Sequence, residues 1–319
     1  MTGAAGFIGS NLIHRLLDLE QEVVGFDNYS TGLKKNILEI EKRHSGGSFN
    51  FIEGDLVDFE KCKEAMIGVD HILNQGALGS VPRSIKNPID SHNSNVTGFL
   101  TMLTAAKESN INSIVYASSS SVYGDHPDLP KVEKNIGNPL SPYAATKFFN
   151  EVYADVFSRT YGLSLAGLRY FNVFGRRQNP EGVYAAVIPL WVKSMVCGEE
   201  VFINGDGKSS RDFCYIENVI QANILAAINC KKAESHCYNI AVGEQTTLIE
   251  LQNYLKEFLK SECDITYDKE VIFRDFRPGD VRHSLADISK AQKDFGYSPT
   301  HGVREGIIET IKWYVENIT

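Results

Sequence analysis

The chain opens on a comb of small residues, Thr2-Gly3-Ala4-Ala5-Gly6-Phe7-Ile8-Gly9, and no other stretch so narrows what the rest can fold into. Glycines at this spacing let a backbone turn tightly, approach a charged group closely, and pack a following helix against a strand. Residues 7–19 are amphipathic with a helical period, so the comb delivers the chain into a helix N-terminus. Unpaired amides and the helix dipole favour a phosphate there. A glycine-rich turn before a helix is often only structural; the next apolar run, 22–27, favours the ligand reading. It ends in Asp27, 18 residues after Gly9, where a carboxylate accepts from the ribose hydroxyls of an adenine dinucleotide. A 2′-phosphate would be repelled, and no arginine follows directly, so the expected cofactor is NAD rather than NADP. We assign its contacts to Gly3, Gly6, Phe7, Ile8, Gly9, Asp27, Asn28, Asp55, Leu56 and Gln75, joined by Tyr143 and Lys147. For Asp55, at the end of the next strand, a solvated loop position is the alternative to a contact with the adenine edge.

Short apolar runs alternate with helical stretches through the first half. Strands are expected at 22–27, 49–55, 71–76, 113–119 and 165–172, and helices at 7–19, 60–67, 93–109 and 142–161. That rhythm predicts an α/β fold, a doubly wound parallel sheet with helices on both faces. Beyond Asn172 the pattern loosens into a smaller substrate lobe, interrupted by a return to the sheet through 216–228 and 237–242. The expected division is 1–172 with 210–243 for the dinucleotide, and 173–209 with 244–319 for the substrate. Only Met1 and Thr2 precede Gly3, where such a sheet normally has a central strand. The expectation is a truncated first strand that leaves two interior edges unpaired.

The apolar run 113–119 ends in four serines, Ser118-Ser119-Ser120-Ser121. Ser119 there stands at the C-terminal end of a parallel strand, where open α/β sheets bind ligands. Ser141-Pro142 supplies an N-cap and a first-turn proline directly before Tyr143. Tyr143 and Lys147, four apart, share a helix face, and a lysine cation there lowers the pKa of a phenol. Ser119, Tyr143 and Lys147 together read as the machinery that moves a proton and a hydride beside the dinucleotide.

The net charge of −8 argues against non-specific nucleic-acid binding, which needs a basic face. Six cysteines without a Cys-x-x-Cys and eight histidines without a His-x-x-x-His make a metal or redox site unexpected. Reduced thiols point to the cytoplasm, and no apolar run approaches a membrane span.

Taken with Ala77-Leu78-Gly79-Ser80-Val81-Pro82-Arg83-Ser84, Asn138-Pro139-Leu140-Ser141-Pro142-Tyr143, 168–178 (Leu-Arg-Tyr-Phe-Asn-Val-Phe-Gly-Arg-Arg-Gln) and Asn204-Gly205-Asp206-Gly207, these motifs resemble the extended short-chain dehydrogenases/reductases. Within them the chain resembles the bacterial UDP-N-acetylglucosamine 4-epimerases of O-antigen and capsule synthesis, over nearly its whole length. The resemblance implies a Rossmann-type sheet with a smaller C-terminal lobe, NAD, and a UDP-sugar substrate. It also implies a homodimer formed through a four-helix bundle. Substrate contacts are then expected at Gly79, Ser80, Arg83, Ser119, Ser120, Asn172, Gln178, the Ala186-Val187 backbone, Phe202 against uracil, Arg211 and Arg277 on the diphosphate, Asp280 on the ribose, and Ser284. Epimerases restricted to non-acetylated sugars carry tyrosine at the position of Ser284. Related dehydratases place Asp and Glu directly after the catalytic Ser or Thr, and the decarboxylases a Glu at the position of Ser121. Here Ser120 and Ser121 stand instead, which favours simple epimerisation. The corresponding uronic acid as substrate, and a non-catalytic sensor of NAD and nucleotide sugars, are the alternatives. Asn74 and Gly76 depart from the usual histidine and alanine.

Overall fold

The computed structural model describes residues 1–181, 185–229, 235–276 and 281–318. Among the described residues the main sheet has six parallel strands: β1 (Val23–Asp27), β2 (Phe49–Glu53), β3 (His71–Asn74), β4 (Ser113–Ser119), β5 (Ser164–Tyr170) and β6 (Ser235–Ile240). The helices that matter for the site are α1 (Phe7–Asp18), α2 (Gly98–Glu108), α3 (Pro142–Tyr161), α4 (Val187–Val196), α5 (Ile216–Asn229), α6 (Leu248–Cys263) and α7 (Val303–Ile318). β2 pairs with β1, and β3 to β6 pair in the spatial order β6-β5-β4-β3. Thr2 bridges the two groups, paired in parallel with Phe26 on one side and Asn74 on the other. The fold is therefore the doubly wound Rossmann sheet, with its order reversing at Thr2.

Thr2 corrects one expectation. The two inner edges are not left open at this level. The Met1 amine donates to the Val24 carbonyl (2.8 Å). Phe26 N–H donates to Met1 O (2.8 Å), Thr2 N–H to Leu73 O (3.1 Å) and Ala4 N–H to Phe26 O (3.3 Å). The Thr2 hydroxyl donates to Asn74 Oδ1 (2.7 Å) and accepts from Gly76 N–H (3.0 Å). Asn74 thus serves the centre of the sheet, and a Cβ on Gly76 would meet Leu56 Cδ1 at 2.8 Å and Thr2 Oγ1 at 3.1 Å, which gives those two departures a structural account.

Every residue of β5 is buried, as a strand covered on both faces must be. The core cluster that contains Val115, Leu168 and Ile240 continues without a break to Trp191, Leu255, Phe258 and Tyr314 of α4, α6 and α7. The later half therefore shares its core with the sheet. α3 runs from a Ser141 N-cap, whose hydroxyl accepts from Ala144 N–H, through Pro142 in its first turn to a left-handed Gly162. Its bounds are those the sequence predicts, because cap, proline and glycine punctuate both ends. The expected 93–109 helix differs: Asn93–Thr97 is a turn of π-helix that precedes α2.

Replacing Thr2 by valine keeps the shape but leaves the Asn74 carbonyl and the Gly76 amide unsatisfied in a buried place. The expected loss is about 1–3 kcal/mol, read as a lower urea midpoint with an unchanged m-value.

Candidate active site

The comb forms a turn into α1 whose Gly6 N-cap has no side-chain cap, so the first-turn amides of Phe7, Ile8 and Gly9 lack helical partners. Gly3 has φ +64°, and a Cβ on it would meet the Gln75 carbonyl carbon at 2.8 Å; a Cβ on Gly9 would meet Gly3 O at 2.0 Å. Only glycine permits this close passage. Above it lies a cleft of ≈ 290 Å³ lined by Gly3, Gly6, Phe7, Ile8, Gly9, Asp27, Asn28, Asp55, Leu56, Gln75 and Gly79, among others. The Asp27 carboxylate accepts Ala5 N–H (3.0 Å) and Tyr29 N–H (2.7 Å). Burial raises its pKa against those hydrogen bonds. Asn28 Nδ2 donates to Asp55 Oδ2 (2.7 Å). A bare helix N-terminus, a close-approach turn and a strand-end carboxylate in one cleft fit the dinucleotide.

β4 delivers Ser119 to the end of the sheet, and α3 brings Tyr143 and Lys147 down beside it. Ser119 Oγ accepts from Ser121 N–H (3.1 Å) and from Ser121 Oγ (2.9 Å). Burial raises the pKa of the Tyr143 phenol, and a hydrogen bond with Ser119 opposes that rise. The sequence predicts a phenol lowered by Lys147; burial dominates instead. Lys147 Nζ lies 6.0 Å from the centre of the Tyr143 ring and donates to Ala117 O (2.7 Å). Burial lowers its pKa to about 8, against the pull of Glu151. The sequence reading missed Glu151, although it continues the i, i+4, i+8 face of Tyr143 and Lys147. Its carboxylate accepts from Ser118 Oγ (2.5 Å), Arg169 Nε (2.9 Å) and Arg169 Nη2 (2.7 Å).

Two further cavities adjoin. One of ≈ 180 Å³ is lined by Ser120, Ser121, Tyr123, Lys131, Asn172, Arg211, His283 and Ser284, among others. The other, of ≈ 420 Å³, is lined by Ser80, Asn172, Ala186, Val187, Phe202, Arg211 and Phe276, among others. Asn172, held at φ +31°, reaches both. α4 starts at Ala186 without a side-chain cap, a second anion-ready helix end. Arg274 stacks over the Phe202 ring, 3.3 Å from its centre. Arg83 and Gln178 line none of these three cavities. Arg83 N–H donates to Ser80 Oγ (3.3 Å), and Gln178 Nε2 donates to Val173 O (3.1 Å). Arg277 and Asp280 lie outside the described residues. Lys131 and His283, both unforeseen, come to the cavity from loops far apart in sequence, which no local pattern signals.

Residues 1–241 match the NAD dependent epimerase/dehydratase family. The UDP-glucose 4-epimerase of Thermotoga maritima, solved with UDP-glucose, is 32% identical and superposes at a TM-score of 0.91, covering 100% of this chain and 98% of that one. A UDP-N-acetylglucosamine 4-epimerase of Methanobrevibacter ruminantium, solved with UDP-N-acetylmuramic acid, is 36% identical at a TM-score of 0.89 over 99% and 97%. A UDP-glucuronic acid 4-epimerase of Bacillus cereus, solved with a 4-fluoro substrate analogue and NAD, is 28% identical at 0.88 over 99% and 98%. The chain belongs to the NAD dependent epimerase/dehydratase family. It is an NAD-dependent epimerase, an isomerase of the extended short-chain dehydrogenase/reductase type.

Lys147 gives a pH prediction. Its folded pKa, about 8, lies below the ordinary 10.5, so between those values the unfolded chain binds more protons. The stability tied to Lys147 is therefore withheld below pH 8 and recovered as pH rises through the window. Lys147→Met is expected to lose turnover yet melt higher than the wild type at pH 7, with the gap narrowing towards pH 10. Calorimetry across that range checks it.

Proposed function

We propose that this enzyme interconverts the C4 epimers of UDP-N-acetylglucosamine and UDP-N-acetylgalactosamine in the cytoplasm, with no net redox change. The observation that carries the reading is the grouping of Ser119, Tyr143 and Lys147 directly behind Ser120, Ser121 and Ala144, which line the cavity of Ser284, in a chain that also has a bare-ended dinucleotide cleft. Residues 1–172 with 210–243 serve NAD, and 173–209 with 244–319 serve the UDP-sugar. Tyr143, as phenolate, takes the proton from the sugar 4-hydroxyl, and Ser119 hydrogen-bonds that oxygen as it becomes a ketone. Lys147 supports the phenolate charge. NAD, which the glycine comb, Asp27 and Gln75 would hold, would supply the hydride chemistry at C4. Asn172, Arg211 and the α4 N-terminus suit a diphosphate anchor that stays fixed meanwhile.

A second reading takes the 6-carboxylate of the same sugar as substrate. It is favoured by Lys131 and His283, which line the cavity of Ser284 and offer a carboxylate nitrogen donors.

Phe149, Val152 and Val156 recur every three or four residues on α3, 48%, 43% and 40% exposed. An apolar stripe on this helix fits the expected pairing of two copies through a four-helix bundle. Among the described residues no helix is long and apolar enough to cross a membrane.

Purified protein incubated with each UDP-sugar, with C4 configuration read by proton NMR, tests the assignment. Tyr143→Phe should keep its NAD and lose turnover by about 10²–10⁴-fold or more; a variant with wild-type turnover would remove Tyr143 as the base.

Ser284 sets the size prediction. It is half-buried and tied through its N–H to Ser210 O (3.0 Å). Ser284→Tyr fills the cavity beside it, and overpacking costs about 1–3 kcal/mol, which is roughly a 5- to 150-fold change in preference. The expected outcome is a fall in kcat/KM for UDP-N-acetylglucosamine with UDP-glucose spared. An unchanged ratio would take Ser284 out of the sugar pocket.

A further inference from the structure

The backbone of Tyr143 is held from outside its own helix. α3 begins with an unusual set of amides. Pro142 has none to offer, Ala144 N–H is capped by Ser141 Oγ (3.1 Å), and Ala145 N–H reaches Ser141 O (3.0 Å). The amide of Tyr143 is the orphan of that first turn, and it donates to Ser84 Oγ (3.0 Å), 59 residues earlier. Ser84 is fully buried. Its own hydroxyl proton goes to Val81 O (2.8 Å), so the oxygen is oriented with a lone pair towards α3.

The segment that Ser84 closes is the one in touch with all three cavities. Gly79 lines the dinucleotide cleft, Ser80 the larger of the other two cavities, and Val81 both of those. The Tyr143 carbonyl is braced separately. It accepts from Thr146 Oγ1 (2.7 Å), which accepts from Asn95 Nδ2 (3.1 Å). Asn95 also holds Leu78 through its N–H (2.7 Å) and its carbonyl (3.1 Å). This second brace is independent of Ser84.

We propose that Ser84 is a positioning residue: by holding the Tyr143 amide to the segment that senses both ligands, it sets the reach of the phenol towards the sugar 4-hydroxyl. This inference rests on Tyr143 as the base. With the Asn95–Thr146 brace intact, loss of the Ser84 hydroxyl shifts the start of α3 without undoing it. Proton transfer requires hydrogen-bond distance, so a small displacement of the phenol acts on kcat, while the binding contacts stay in place.

The test compares Ser84→Ala, Ser84→Thr and Ser84→Val, the last two alike in shape and differing in the hydroxyl. Each is measured for kcat and KM on the UDP-sugar that the wild type epimerises, with bound NAD and the melting midpoint read alongside. For Ser84→Ala a fall in kcat of about 10- to 100-fold is expected, the scale of a misplaced reacting group, with KM and bound NAD unchanged. Ser84→Thr should recover most of that loss and Ser84→Val should not. The proposal is overturned if Ser84→Ala keeps wild-type kcat, if threonine and valine behave alike, or if the loss lies in KM or bound NAD. Should Ser84→Ala not fold, the threonine and valine pair decides. Tyr143→Phe, run in parallel, separates the two readings: if it retains turnover the base assignment falls, and if it is inactive beside a fully active Ser84→Ala, this inference alone falls.

Discussion

A buried ion pair ties α3 to the sheet. Arg169 on β5 and Glu151 on α3 meet through two hydrogen bonds, at 2.9 and 2.7 Å, and are both almost fully buried. Ser118, next to Ser119 on β4, donates to the same carboxylate, and the remaining Arg169 Nη1 donates to Glu133 O (2.8 Å). The pair is close to fully satisfied, which is the condition under which a buried charge can be kept. Its net worth against an apolar substitute is small or negative, but removing either partner alone strands a charge at about 3–5 kcal/mol. The consequence is geometric. The strand that carries Ser119 and the helix that carries Tyr143 and Lys147 share one anchor two helical turns below the phenol. Their separation is therefore fixed before any ligand arrives.

That anchor also shapes the electrostatics. Lys147 is the third charge of the group, and its place beside Ala117 O keeps it in a dry pocket where its cation is costly. Glu151 offsets part of that cost. The phenol of Tyr143 is likewise raised by burial and eased by Ser119.

The ligand end of the molecule follows a different logic. α1 and α4 start with no side-chain cap, and each opens on its own cavity, one reached by the glycine comb and the other by Asn172 and Arg211. The hydrogen bond from Tyr143 N–H to Ser84 Oγ ties the start of α3 to the segment between these cavities.

The sequence by itself determined the periodic elements and the chemistry that sits inside them. Glycine spacing, the aspartate ending β1, the Ser141-Pro142 cap and the Tyr143 to Lys147 interval are local patterns, readable because turns, caps and helix faces act over a few residues. Hence the fold class and the bounds of α3 were legible, and so was the meeting of Ser119, Tyr143 and Lys147 at one place. Tertiary structure alone decided the contacts whose partners are far apart in the chain. Thr2 fills the middle of the sheet only because β1 and β3 converge on it, and Lys131 reaches the cavity of Ser284 only because its loop pairs in parallel with the segment at Ala286. Ser84 finds the Tyr143 amide 59 residues on. The same holds for the phenol's pKa: a lysine four residues away suggests a lowered value, but burial, a property of the whole fold, raises it. Long-range packing sets desolvation and register together, and neither leaves a periodic mark on the chain.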